Sequence, residues 1–375
     1  MKYSQEAMEN KNAFKHWINQ DTVEIIAQSI RQHHPTFDSK EFSKIAPALK
    51  SLELKARVLE ITKALRQYLP QDYQQTVKIL VNVIKTSDLK GFNLWPFSEY
   101  ISQYGTQHLD HSLKAMEILT EKFTAEFAVR PFLLKNSDSV LKFLSTRTAH
   151  SNVHIRRWVS EGTRPYLPWG QKIPQIAQNP QLTLKLLDKL KYDDELYVRK
   201  SIANHLNDHS KLHSDLVVQT LKTWEEKAPE KQLPKINWIK RHALRTLIKK
   251  GHPKALQLMG VNNKIQINVG KITLSKKKYH VGDKLTFNFQ IKSTSNKVQK
   301  LIVDYAIDFA KANGKKGMKV FKLKVLNLNP KEKITITKSH HLKKITTMRY
   351  YPGEHHLKIQ INGNMVAQSA WDFQI

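Results

Sequence analysis

Ile155-Arg156-Arg157-Trp158, Val198-Arg199-Lys200-Ser201 and Ile239-Lys240-Arg241-His242 share one pattern, a branched apolar residue followed by two basic ones, and their first residues stand 43 and 41 positions apart. A period of about 40–47 residues is that of HEAT or armadillo helix pairs, which bury their apolar faces on one another and expose a concave face along the stack. The spacing therefore predicts an α-solenoid in which the two basic residues of each match open the helix lining that face. The flanking sequence agrees. Apolar residues recur at helical spacing in LKARVLEITKALRQYL (54–69) and HSLKAMEILTEKFTAEFAV (111–129).

Near residue 262 the period changes from 3.6 to 2. Strict alternation marks Leu285–Ile291, Phe321–Val325, Ile334–Ile336 and Leu357–Ile361, separated by turn signals such as Val-Gly-Asp, Ala-Asn-Gly and Tyr-Pro-Gly. About seven short strands over some 110 residues fit an immunoglobulin-like β-sandwich. The expected architecture is thus an all-α HEAT-like repeat solenoid over residues 1–262, followed by a sandwich over 263–375. Without cysteine, the sandwich has no inter-sheet disulfide.

The 375 residues carry 62 Lys/Arg against 32 Asp/Glu, a formal charge of +30. The absence of cysteine excludes cysteine-zinc sites, disulfide scaffolds and thiol nucleophiles. With 40% hydrophobic residues the chain has the composition of a folded protein, so the excess charge belongs to a folded surface and implies a polyanionic partner. Nucleic acid is the first candidate and an anionic membrane surface the second, although no basic amphipathic anchor stands out. Residues 264–375 hold 22 Lys/Arg and 6 Asp/Glu, so the β domain is the denser positive surface, with a run at Lys276, Lys277 and Lys278. No signal-peptide core and no uncharged apolar run of about 18 residues occurs, and a cytoplasmic location is expected.

Six positions after the branched residue of each match stand Glu161, Asn204 and Arg245, and Asp208 follows Asn204 by one turn. Equivalent positions put polar side chains on corresponding helix faces, which is how a solenoid builds a site. Glu126/Arg130 and Arg157/Glu161 are spaced four apart; as simple helix ion pairs they are worth about 0.3–0.5 kcal/mol each. Glu161 is followed by Gly162, Thr163 and Pro165, so a carboxylate near a helix C-terminus calls for a compensating cation or a functional role. The connector Arg164-Pro-Tyr166-Leu-Pro-Trp169-Gly presents two aromatics that either fill the gap between repeats or stack on a base or sugar. His205 and His209 have metal-pair spacing without a third ligand, the doublets at 33–34, 340–341 and 355–356 read as surface residues, and no phosphate-binding glycine loop occurs.

The longer segments FTAEFAVRPF (123–132), HIRRWVSEGTRPYLPW (154–169), LYVRKSIANHLND (196–208) and RHALRTLIKKG (241–251) resemble the AlkC-type DNA-alkylation-repair glycosylases, relatives of the AlkD group. The resemblance extends over nearly the whole chain, including a C-terminal immunoglobulin-like domain. It implies hydrolysis of the N-glycosidic bond of cationic alkylated bases in DNA, 3-methyladenine above all and 3-methylcytosine with it. The sequence itself sets the further expectation of a monomer that acts through carboxylates, without metal, cofactor or obligate protein partner. Glu126, Glu161 and Asp208 match the family's acidic positions, Trp169 its aromatic and Arg157 a basic residue beside them. On this reading Asp208 handles water and sugar while Glu126 and Glu161 stabilise charge. Tyr166 and Asn204 join Trp169 and Arg157 at the substrate, and Arg199, Lys200, Arg241, Arg245 and Lys276–Lys278 contact DNA. A non-catalytic basic scaffold accounts equally for charge and helices, but not for acids and a tryptophan at matching repeat positions.

Overall fold

Helices run from Gln20 to Leu258 and strands from Ile267 to Phe373 in the computed structural model of the chain, which describes residues 14–262, 264–344 and 349–374. The expected order, an all-α repeat region followed by an immunoglobulin-like sandwich, is present. The chain packs as two compact units, one formed by the chain up to Leu212 with Pro229–Ile239, the other by His213–Ala228 and everything from Lys240 onward. Among the described residues no helix is long and apolar enough to cross a membrane.

In the first unit, helix Val153–Gly162 opens on Asn152, whose side chain accepts the His154 N–H at 2.8 Å. Ile155, Trp158 and Val159 form its buried stripe. A Cβ at Gly162 would stand 2.9 Å from the Val129 side chain, so only glycine lets the helix end this close to its neighbour. Helix Leu196–His209 packs against it through a seam of small residues, where the hydroxyls of Ser160 and Ser201 are hydrogen-bonded at 2.9 Å.

Ile155 and Val198 each stand third in their helices, so their basic pairs do open the helix as the repeat pattern predicts. The third match departs from it. Ile239 is the seventh residue of helix Leu233–Ala243, because Pro234, with a backbone suited to a first turn, sets the start upstream. Arg245 begins a separate helix, Arg245–Lys249, and belongs with Arg241 to the second unit. The row of equivalent positions therefore has two members, Glu161 and Asn204.

The second unit carries strands β1 (Ile267–Val269), β2 (Thr273–Leu274), β3 (Lys278–Tyr279), β4 (Lys284–Ser293), β5 (Gln299–Ala310), β6 (Lys316–Leu328), β7 (Lys333–His341), β8 (Gly353–Ile361) and β9 (Asn364–Phe373). The alternating segments of the sequence fall on β4, β6, β7 and β8. One sheet centres on β4, paired antiparallel with β1, β2 and β7; the other runs β3-β9-β8-β5-β6, with β3 parallel to β9. Phe287 and Phe289 on β4 meet Tyr305, Leu357, Ile359 and Trp371 of the other sheet in the core. β5 is buried on both faces, and its Ile302 packs against Leu256 and Val261 of the preceding helical segment. His355, expected at the surface, is buried: the alternation of β8 turns it inward, where its ring stacks 4.6 Å from Trp371.

Candidate active site

Three acids and three cations of the first unit form one connected network. Arg157 Nη1 lies 2.5 Å from Glu126 Oε2 and its Nη2 3.6 Å from Glu161 Oε1. Arg164 bridges the remaining gap, donating from Nη1 to Glu161 Oε1 at 2.7 Å and from Nε to Asp208 Oδ2 at 2.9 Å. Lys211 Nζ closes the chain 3.3 Å from Asp208 Oδ1. Helix Val153–Gly162 supplies Arg157 and Glu161, the turn after its end Arg164, helix Leu196–His209 Asp208, and the segment before helix Val129–Lys135 Glu126. The carboxylate expected to need compensation at a helix C-terminus receives it: Glu161 meets two guanidinium groups, and Ser201 Oγ donates to its Oε2 at 2.6 Å. Burial opposes charge on Arg164, but Glu161 and Asp208 together outweigh it and raise its pKa above the ordinary arginine value.

The engagement of the three acids is unequal. Both oxygens of Glu161 and both of Asp208 contact donors or cations. Glu126 Oε2 also accepts the Thr124 hydroxyl at 3.0 Å, whereas among the described residues its Oε1 accepts no hydrogen bond. Glu126, Arg157, Glu161 and Arg164 face a groove of about 560 Å³ walled by aromatic rings, among them Phe92, Trp95, Trp169 and Tyr197. Asp208 is not among the residues lining it and reaches it through Arg164.

Trp169 stands at the lip, 69% exposed. The turn Leu167–Gly170 is closed by the Gly170 N–H donating to Leu167 O at 3.1 Å, and Trp169 occupies its second corner with φ of +63°. That corner ordinarily takes glycine. A bulky residue there costs about 1–2 kcal/mol, a local strain that puts an indole in solvent rather than in the core. Tyr166 lies apart from the groove, with Lys211 Nζ 4.5 Å from its ring centroid.

Arg130 is not the helix partner of Glu126. Glu126 precedes the helix that begins at Val129, so the four-residue spacing has no helical meaning. Fully buried, Arg130 donates instead to the carbonyls of Gly162 at 3.1 Å, Arg164 at 2.9 Å and Gln171. Burial, with Arg164 close by, brings its pKa down to about 10, which leaves it charged at neutral pH.

Of the residues expected on DNA, Arg199 donates to the carbonyls of Asp193 and Asp194, both at 2.7 Å, while Lys200 and Arg241 are exposed. Lys276, Lys277 and Lys278 are exposed from the turn before β3 into that strand, with Lys276 3.6 Å from Asp283. Asn204 is half-buried. His205 and His209 are buried and both share the Thr183 hydroxyl, at 3.2 and 3.1 Å; burial, with His209 beside it, pushes His205 well below the usual imidazole range. Among the described residues no cluster of three His, Asp or Glu has metal-binding geometry.

Sequence reasoning gave no role to Arg164, Ser201, Tyr197 or Lys211. Arg164 had a visible signal, its three-residue offset from Glu161 across a helix end. Tyr197 had none; its ring lies beneath the Arg157 guanidinium, 5.1 Å from centroid to carbon. Chemically, carboxylates beside aromatic faces attract a flat cation and stabilise positive charge developing next to them.

Residues 268–375 match the family described as "Uncharacterised protein YhaZ, C-terminal Ig-like domain". Over 363 residues, 96% of this chain and 99% of the relative, the sequence is 37% identical to the uncharacterized protein YhaZ of Bacillus subtilis. The solved structure of Pseudomonas fluorescens alkylpurine DNA glycosylase AlkC, bound to DNA containing an abasic site analog, is similar with a TM-score of 0.89 and 34% identity, covering 97% of this chain and 100% of that one. Full-length likeness in both sequence and fold places the chain in one family with YhaZ and AlkC.

Proposed function

We propose that this protein is a DNA glycosylase that removes cationic N-alkylated bases, 3-methyladenine and 3-methylcytosine among them, from double-stranded DNA. The observation that carries this reading is the Glu126–Arg157–Glu161–Arg164–Asp208 network beside an aromatic groove, in a chain similar over its length to a DNA-bound alkylpurine glycosylase. In the proposed organisation, residues 1–262 carry the chemistry and residues 263–375 add grip on DNA. The enzyme acts as a monomer in the cytoplasm.

A base alkylated on a ring nitrogen already bears positive charge. When its bond to C1′ breaks, the bonding pair neutralises the base, which leaves without a general acid. Positive charge passes to the sugar, where Glu161 and the unengaged Oε1 of Glu126 stabilise the oxocarbenium-like transition state. Water approaching C1′ from the Lys211 side, outside the aromatic groove, adds there and loses its proton to the Asp208 carboxylate once Lys211, half exposed, turns to a DNA phosphate and frees Oδ1. The products are the neutral base and an abasic site. Trp169 offers its face to the cationic base, a preference for charged lesions worth about 0.5–2 kcal/mol.

The test is release of free 3-methyladenine from methylated DNA by purified protein, alongside Asp208→Asn and Glu161→Gln. Each variant is expected to lose on the order of a hundredfold in rate. No release by the wild type, or full release by both variants, overturns the reading.

A further inference from the structure

A second concave site lies within the sandwich-bearing unit. Arg241, Arg245 and Lys249 recur every four residues across the break at Leu244, and Lys300 on β5 and Lys322 on β6 join them around a cleft of about 320 Å³. Its apolar lining includes Ile248, Ile302 and Val325. Five cations meet one acid there, Asp304. Among the described residues, Lys249, Lys300 and Lys322 have no carboxylate oxygen within 4.0 Å. Lys249 Nζ donates to Val320 O at 3.0 Å and Lys300 Nζ to Met259 O at 2.8 Å, bonds that aim the ammonium groups without neutralising them.

The cleft is also firmly built. Lys322 is the register partner of Asp304 at the β5–β6 bulge between Val303 and Asp304, a feature that redirects side chains. Gln360 Nε2 donates to Lys249 O at 2.9 Å. Gly251 and Gly363, both at positive φ, press backbone to backbone: a Cβ on Gly363 would stand 2.2 Å from the Gly251 Cα. The wall bearing Lys249 is thereby fastened to the β8–β9 turn.

We infer that this cleft is a binding site for one backbone phosphodiester of DNA, the cations gripping the phosphate and the apolar lining receiving the adjoining deoxyribose. The inference rests on the proposed function for duplex DNA as the partner. Arginine forks and clustered lysines match a phosphate's charge and multiple acceptors. A free phosphate uses the cations alone; a phosphodiester uses the apolar lining as well. Asp304 offsets one of the five positive charges and leaves the cleft cationic. Burial raises the pKa of its carboxyl against the opposing pull of Lys249 and Lys322.

The experiment compares full-length Lys249→Gln/Lys322→Gln with Lys333→Gln/Lys338→Gln, an equal charge change on exposed positions of β7 in the other sheet. Affinity for undamaged duplex is read by fluorescence anisotropy between about 50 and 200 mM salt. The cleft pair is expected to bind about tenfold more weakly, with the log–log salt slope reduced by about 1, while the β7 pair changes less in both. Lys249→Arg/Lys322→Arg restores the slope. Equal behaviour of the two Gln pairs, or failure of the Arg pair to restore binding, overturns the site. Tight binding of inorganic phosphate at constant ionic strength, with DNA affinity of the cleft pair unchanged, assigns the cleft to a free anion and overturns it too. Undamaged duplex needs no base release, so a missing glycosylase activity leaves this measurement intact, and a negative result here leaves base release untouched.

Discussion

Glu161 and Asp304 are acids of nearly equal burial, 6% and 4% exposed, one in each compact unit. Glu161 receives two guanidinium groups and a serine hydroxyl, so its position is set by three partners at once. Asp304 has no cation within ion-pair distance among the described residues, and burial governs its titration. The difference teaches that a net charge of +30 says little about any single buried acid. Contact within about 4 Å decides, because charges farther off act through water and salt.

The comparison breaks most visibly at Arg164. Arg164→Gln leaves Glu161 and Asp208 without the cation they share, and a loss of about 3–5 kcal/mol in urea-unfolding free energy is expected. A loss below about 1 kcal/mol would show that Arg157 and Lys211 suffice. A smaller effect, on function alone, is expected at the lip: Trp169→Ala leaves stability within about 0.5 kcal/mol, since the ring is exposed and its backbone strained. Base release from methylated DNA by this variant falls about 2- to 30-fold in single-turnover assays, the range that about 0.5–2 kcal/mol of cation–π contact implies.

The smallest effect lies at Asp304. Its pKa is raised in the folded protein, so the folded state binds the proton more tightly than the unfolded chain does. The stability it contributes is complete below the ordinary value of 3.8 and is lost as pH rises through the folded value. Asp304→Asn removes that loss. Its thermal midpoint should gain on the wild type as pH increases above the ordinary carboxylate range, a trend that a melting series across pH reads directly; a constant offset would mean that burial does not govern this group.

The period-2 segments of β4, β6, β7 and β8 were legible because a sandwich strand shows its two faces residue by residue, without reference to the rest of the chain. The repeat was legible at Ile155 and Val198 for a similar reason, each pattern sitting at a helix start. It misled at Ile239 because the motif carries no information about where Pro234 begins the helix. The acids could be named from the sequence, but not what joins them. Arg164 and Asp208 are 44 positions apart, and only the packing of helix Val153–Gly162 on helix Leu196–His209 brings them to 2.9 Å. Arg130 looked like a partner for Glu126 until the helix start fell between them.

Arg130 also bears on how the groove meets a ligand. Its guanidinium is bound to carbonyls at Gly162, Arg164 and Gln171, spanning the connector that carries Trp169. Ordering a free loop costs about 1–2 kcal/mol per residue, and that loss here falls on folding rather than on association. Trp169 is in this sense preorganised: a lesion encounters an indole already in place, and the entropy that an unfastened loop would surrender at each encounter remains available as affinity.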